Sequence, residues 1–495
     1  MSFIFLLSGL FLGWSLGANV AGTVFGTAVE TKMLKFKTAA WVASVFVVLG
    51  AVLQGGATSS TLTKLGSVNA LAGSFTVALS AALSLFLMAR IRIPVSSTQA
   101  VVGSIIGWDL FTGAFTDYSV LVGILSSWII TPLLAAFFTL IIFYLFNAFL
   151  NKHAIHIIHL DYYTRLGLLF ACAFGAYSIG ANNIASVMGM FIDASPFKDI
   201  FITMNYSIAS STQLFFLGSV AIAIGIFTYS HKNIKTVGND LYKLSPLTGL
   251  IVVLSSSLVL FIFSSKALAS FLHFLHLPSL PLVPVSSSQA IIGSIVGLSL
   301  SKGVHNMHYN VLGRISIGWL ASPVLAGIIC FFSLFVVQNV FDQTVYHPSY
   351  YTFDKHVMIK MEDERIDINK LSILNGKTYQ SSNELRNELL NIEMGPRKKQ
   401  IIAEISYYYP MRVDVKKIDY ELEKQYFTQQ DIEDLQKLSD NYLNHKWQLN
   451  EKLEEISNSW SFKPKGIKNN SYNRELQKKY DILYTTFKIK TLSID

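Results

Sequence analysis

Two stretches, 190 residues apart, carry the side chains best suited to chemistry. Pro94-Val95-Ser96-Ser97-Thr98-Gln99 returns as Pro284-Val285-Ser286-Ser287-Ser288-Gln289, and each leads into an apolar run with glycines four and eight positions after the glutamine. A proline followed by three hydroxyls marks a helix start, where Ser and Thr cap backbone N–H groups. Such a start carries about half a positive charge together with unpaired donors. Two of them meeting at one point would cradle a small tetrahedral oxyanion without a lysine. Ser96, Ser97, Thr98 and Gln99, with Ser286, Ser287, Ser288 and Gln289, are therefore candidate substrate ligands.

A second motif is also doubled. Gly17-Ala18-Asn19 and Gly180-Ala181-Asn182 lie 163 residues apart, and Gly189 matches Gly26 at the same offset. Asn19 and Asn182 can donate to an anion or turn their carbonyls toward a cation. Any one of these small polar residues is more often a packing residue between membrane helices. The duplication of the whole set favours a site.

The elements that must hold these residues are set by composition. The chain has 495 residues, with 52% hydrophobic and 14% charged. Residues 1–341 hold 15 Lys+Arg and 7 Asp+Glu, against 24 and 24 in residues 342–495. Runs such as 38–55, 69–89 and 248–263 are long enough, or nearly so, to cross about 30 Å of hydrocarbon. The fold expected is an all-α multi-pass membrane protein made of duplicated, inverted repeats with broken or re-entrant half-helices, followed by a soluble α or α+β domain. Residues 1–150 form the first repeat, 151–341 the second and 342–495 the soluble domain. The opening run 3–12 is read as structure rather than a signal peptide, because no basic residue precedes it. Cys172 and Cys330 fall in apolar segments and are read as packing thiols.

In the first repeat, runs at 38–55 and 69–89 read as spanning helices joined by a polar Gly/Ser/Thr loop, and 118–150 as an apolar stretch interrupted at Pro132. In the second, runs at 200–228 and 246–271 match the first pair, and Trp319 and Pro323 echo Trp128 and Pro132. Both Gly-Ala-Asn elements are expected to be broken helices. Lys32, Lys35, Lys37, Arg90 and Arg92 flank the first helix pair, whereas Lys232, Lys235 and Lys243 lie between the second. The positive-inside rule puts these clusters on one, cytoplasmic, side, so the repeats are inverted and the tail is cytoplasmic.

The same residues carry a family resemblance. The paired Gly-Ala-Asn and Pro-Val-Ser-Ser elements, with Lys235-Thr236-Val237-Gly238 and Leu244-Ser245-Pro246, resemble the duplicated signatures of the inorganic phosphate transporter (Pit-type) family over about residues 1–341. The resemblance implies inward phosphate transport driven by Na+ or H+, with the site formed by both repeats. It also adds Thr23, Asn183 and Ser186 to the substrate-binding set, since they stand where the family's motif continues.

The family's Asp after Gly-Ala-Asn is here Val20 and Asn183, and the histidine often closing the serine motif is Gln99 or Gln289. With both carboxylates replaced, Asn19, Asn182, Glu30 and Asp193 are the remaining candidates for a coupling ion. Glu30 and Asp193 sit at ends of apolar runs, where interfacial charges are common. Asp109 reads as a helix-end residue.

His153, His156 and His159 read as surface residues, with no acidic or cysteine cluster beside them. Neither a catalytic nor a metal constellation is seen, so an enzyme is not expected, nor a cofactor, nor a nucleic-acid partner. Phosphate is the first substrate and sulfate the second, since loss of the Asp pair weakens the case for reading a phosphate proton. A non-transporting anion sensor signalling through the tail is the alternative class. The partners expected are the anion, the lipid of the cell membrane, a second copy in a homo-oligomer and a cytoplasmic regulator acting through the tail.

Overall fold

In hydrocarbon every backbone N–H and C=O must be paired within the protein, so long apolar runs fold as helices. The computed structural model describes residues 2–66, 68–90, 95–114, 116–153, 156–197, 200–203, 206–231, 244–275, 281–302, 309–347, 350–379, 382–418, 427–464 and 467–489. They fall into two compact units. One holds residues 1–112, 116–198 and 209–347; the other holds 113–115, 199–208 and 348–495. Pro94, Lys232, Lys235 and Lys243 lie outside the described residues.

The first unit is helical: α1 (Leu7–Val20), α2 (Gly26–Glu30), α3 (Phe36–Gln54), α4 (Gly56–Leu65), α5 (Leu71–Arg90), α6 (Ser97–Thr112), α7 (Tyr118–Lys152), α8 (Ile157–Met188), α9 (Ser210–Thr228), α10 (Pro246–Ser264), α11 (Lys266–Phe274), α12 (Ser287–Ser301) and α13 (Tyr309–Asn339). Among the described residues 8 helices are long and apolar enough to cross a membrane. The apolar windows of α8 and α10 are 72% buried, and those of α7 and α13 only 22%. The first pair is thus the centre of the unit, and the second presents Leu133, Phe137 and Leu320 outward.

Several local expectations change. The polar stretch after Gly55 is helical, because Thr58 and Ser59 return their hydroxyls to the Gly55 carbonyl at 3.3 and 2.9 Å. Pro132 does not interrupt α7, which runs 35 residues through it, as α13 runs through Pro323. A proline inside a membrane helix costs one backbone bond that neighbouring elements can offset. The run expected from 200 begins instead as a hairpin, β1 (Ile200–Thr203) with β2 (Tyr206–Ile208), and the helix starts at Ser210. Ser265 divides the run expected over 246–271. Only the first Gly-Ala-Asn helix is broken: α1 passes into a π-helical turn over Ala21–Phe25, whereas α8 is α-helical through Asn182 and Asn183. Gly22 in the first copy is Ala185 in the second, and glycine weakens a helix interior by about 1 kcal/mol relative to alanine.

The two halves hold each other through matched contacts. A Cβ built at Gly17 would land on the Ile222 carbonyl, and one at the equivalent Gly180 on the Val47 carbonyl. A Cβ at Gly103 would land on the Pro323 carbonyl, and one at Gly293 on that of Pro132. Each glycine admits the backbone of the other half at a place where any side chain would collide. The partners also run in register. Cys172 lies 3.7 Å from the Ala39 carbonyl and Ile184 lies against Gly55, so α3 and α8 point the same way. Gly103 with Pro323 and Gly107 with Gly327 place α6 and α13 parallel, as Gly293 with Pro132 and Gly297 with Ala136 do for α12 and α7.

In the second unit one small design occurs twice. Strand β3 (Tyr351–Thr352) pairs with β4 (Thr378–Tyr379), and β5 (Met411–Arg412) pairs with β6 (Tyr442–Leu443). Asp354 and Asp414, 60 residues apart, each cap the helical turn after the first strand. Gly376 and Asp440, 64 apart, have φ of 75° and 65° at the turn into the second strand. Buried Leu371, Leu374, Leu385 and Leu389 reappear at the same spacing as Leu435, Leu438, Leu449 and Leu453. A bridge closes each lobe, Tyr351 with Tyr407 and Met411 with Lys488. β5 is followed by a 3-10 turn over Val415–Lys417, and two helices, Gln429–Lys437 and Lys446–Ile456, are divided by β6.

Candidate functional site

The two serine motifs do start helices. Ser96 Oγ accepts from Gln99 N at 3.4 Å, and Ser286 Oγ accepts from Gln289 N at 3.2 Å. In each case the first serine is the cap and the following hydroxyls occupy the first turn. Ser286 also meets the hydroxyl of Ser288 at 2.9 Å. The cap satisfies one N–H and leaves others at the start without an intrahelical partner.

Helix α8 brings the two starts together. Asn182 is fully buried, and its carboxamide pairs edge-on with the extended backbone before α12. Its Nδ2 donates to the Val285 carbonyl at 2.6 Å, and the Val285 N–H donates to Oδ1 at 2.9 Å. The same Nδ2 reaches Asn183 Oδ1 at 2.7 Å, and Asn183 Nδ2 donates to Ser287 Oγ at 3.4 Å. From the first motif, Thr98 donates to the Val285 carbonyl at 3.4 Å and accepts from Ser186 at 3.3 Å. Thr98, Asn182, Asn183, Ser186 and Val285, all buried, form one polar cluster with the half-buried Ser287 at two helix starts. None of these residues is charged, so the field there comes from aligned backbone dipoles and neutral side chains.

Glutamines complete each first turn. Gln99 and Gln289 are buried, and the Oε1 of each has no hydrogen-bond partner. Helix α4 supports the cluster from outside: Thr58 donates to the carbonyls of Ala181 and Asn182 at 3.2 and 3.4 Å, and Thr61 to the Leu282 carbonyl at 2.5 Å. Thr58 and Thr61 escaped the sequence reading because their motif looked like a loop. Val285 contributes backbone groups, which residue type does not advertise.

The other candidates are placed differently. The side chain of Asn19 lies outside the described residues. Thr23 sits in the π-helical turn and is partly exposed, and Ser97 opens α6. Glu30 and Asp193 are exposed at helix ends, in contrast to the buried cluster. Asp109 is buried in the last turn of α6, where Thr116 donates to it at 2.7 Å. His153, His156 and His159 are exposed. Among the described residues no group of three or more His, Cys, Asp or Glu is placed to hold a metal ion.

The same unit ends in a clasp. Asn69 and His347 exchange two hydrogen bonds, 3.1 and 2.9 Å, and Trp108 Nε1 donates to the Val345 carbonyl at 3.2 Å. The chain leaving α13 is thereby fixed to the start of α5 and the end of α6.

Comparison with known proteins agrees with this architecture. A model described as the phosphate transporter family matches residues 16–271 and 265–391. A protein of Methanocaldococcus jannaschii inferred to be a phosphate permease is 26% identical over 326 residues, covering 66% of this chain and 94% of that one. A sulfate permease of Bacillus subtilis is 26% identical over 327 residues, covering 65% and 84%. Among solved structures, a sodium-dependent phosphate transporter matches with a TM-score of 0.53 and 18% identity, over 68% of this chain and 98% of its own.

Proposed function

Because the chain belongs to the phosphate transporter family, we propose that it is a secondary transporter carrying inorganic phosphate across the cell membrane, with the anion held between the starts of α6 and α12. The observation that carries this reading is the convergence of both starts on α8, through Ser186 with Thr98 and Asn183 with Ser287. Unpaired N–H groups and hydroxyls at two helix N-termini suit a dianion without a basic side chain. Ser96, Ser97 and Thr98, with Asn183, Ser186, Ser286, Ser287 and Ser288, make up the binding set, Asn19 in α1 and Thr23 in the turn after it extend that set, and Asn182 fixes the Val285 segment in place.

The repeats are inverted on this reading. Consecutive spanning helices α1 and α3 run oppositely, and α3 runs parallel to α8, the copy of α1. That relation makes α8 antiparallel to α1. The tail then lies on the cytoplasmic side, as the charge pattern requires.

The coupling ion we propose is Na+. The cluster offers neutral oxygens and no titratable side chain, which suits a metal cation better than a proton relay. Sulfate is the second reading, supported by the sulfate permease among the relatives. Uptake of labelled phosphate into liposomes holding the purified chain, with and without a Na+ gradient, tests the proposal. No uptake under either condition rejects it, and uptake driven equally by a proton gradient alone rejects the Na+ assignment.

A further inference from the structure

We propose that the carboxamide oxygens of Gln99 and Gln289 read the proton of the anion, so that the site takes oxyanions bearing an O–H and turns away sulfate; this rests on the transport reading above. Hydrogen phosphate and sulfate share charge and tetrahedral shape and differ by one hydroxyl proton. A cradle whose N–H and O–H groups all point their protons at the anion treats the two alike, since it meets only their acceptor oxygens. Discrimination needs an acceptor placed for that proton, which sulfate leaves unpaired.

The carbonyl acceptors of the cluster are already engaged. Asn182 Oδ1 holds the Val285 N–H, and Asn183 Oδ1 holds the Asn182 amide. The Val285 carbonyl takes Asn182 and Thr98, while Ser96 and Ser286 accept the cap bonds. Gln99 and Gln289 differ. They are 1% and 2% exposed, stand in the first turns of α6 and α12, and each keeps an Oε1 with no partner. A buried acceptor without a donor bears its full desolvation penalty, and here the same defect occurs at both copies of one position. A donor arriving with the ligand removes the penalty. A carboxamide serves better than a carboxylate, because it accepts the proton without repelling the anion.

The test uses the full chain in liposomes, with labelled phosphate and two competitors, sulfate and monofluorophosphate, a dianion of similar shape that carries no O–H at neutral pH. The unsubstituted protein should prefer phosphate over both by about 10³-fold or more. Gln99→Met and Gln289→Met, close in shape but without the acceptor, should each lower that preference at least tenfold. The change should come as a higher KM for phosphate, with sulfate competing as well as before or better. Equal loss of phosphate and sulfate affinity, or an unchanged ratio, overturns the inference. Equal use of phosphate and sulfate by the unsubstituted protein overturns it too while leaving transport intact, whereas uptake of neither anion removes the transport reading beneath it. If thermal unfolding shows a variant misfolded, the monofluorophosphate comparison on the unsubstituted protein decides.

Discussion

Asn182 and Val285, 103 residues apart in the chain, bond to each other as two strands would, amide edge against peptide, at 2.6 and 2.9 Å. The side chain of a central helix thus replaces the missing neighbour of an extended segment buried in the unit. The segment is held at the angle that starts α12 beside α6.

Replacing Asn182 by alanine leaves the Val285 N–H and carbonyl buried without this partner. The carbonyl keeps Thr98, so one buried orphan remains, the N–H; at about 1–3 kcal/mol for such a group, the expected loss is about 1–3 kcal/mol, together with loss of anion uptake. Asn182→Asp should also fail, since a carboxylate can accept from the N–H but cannot donate to the carbonyl. Thermal unfolding in detergent measures the first effect; an unchanged melting temperature in Asn182→Ala would contradict the clamp.

Thr98→Val keeps the shape of the side chain and removes the hydroxyl that meets Val285 and Ser186. The uptake efficiency, kcat/KM for phosphate, should fall roughly tenfold, the equivalent of one hydrogen bond of about 1–1.5 kcal/mol. Because Thr98 is on α6 and Val285 precedes α12, full activity in this variant would mean the two starts do not act together.

Gly180→Ala and Gly17→Ala should destabilise alike, by about 1–3 kcal/mol, because each added methyl meets a carbonyl of the other half. Gly123→Ala is the control: nothing lies within 4 Å of its Cβ position, and alanine favours the helix. Monodispersity and melting temperature of the three variants decide, and equal behaviour of all three would contradict the matched contacts.

In the second unit, Gly376 has φ of 75° and open space around it, so an alanine there is strained by conformation alone. Gly376→Ala should cost about 1–2 kcal/mol and Gly376→Asp much less, since Asp440 holds the matching turn of the other lobe. Denaturant unfolding of residues 348–495 separates the two. Equal loss would dissolve the equivalence of the turns.

His445 gives this unit a pH dependence. Burial lowers its pKa from the ordinary 6.5, against the Tyr407 carbonyl and Asp354, which favour the charged ring, and with a smaller push from His356. The unfolded chain therefore binds the proton more readily than the folded one. Stability is complete above 6.5 and declines as pH falls below it. Melting of residues 348–495 at pH 7.5 and 5.5, with His445→Gln beside it, should show a decline that shrinks in the variant. An undiminished decline would assign the effect to another group.

Much of the membrane unit was legible because its signals are local. Ser96 and Ser286 cap helices as the Pro-Val-Ser-Ser pattern predicts. The misses are places where distant neighbours override local preference. Helix α4 is rich in Gly, Ser and Thr and is helical because its hydroxyls find partners in its own turn and on α8. The bonds of Asn182 to Val285 could not be read ahead, since no spacing rule links the two residues. The twofold design of the tail was hidden because it is carried by buried leucines 64 residues apart and two unusual turns, with little shared sequence.

The matched glycines have a further consequence. Gly17 touches Ile222 while Gly180 touches Val47, so each of these two glycines meets the counterpart of the other's partner. That is the bonding scheme of a two-fold homodimer whose subunits have been spliced end to end. Either half made alone lacks the carbonyls that its glycines accommodate.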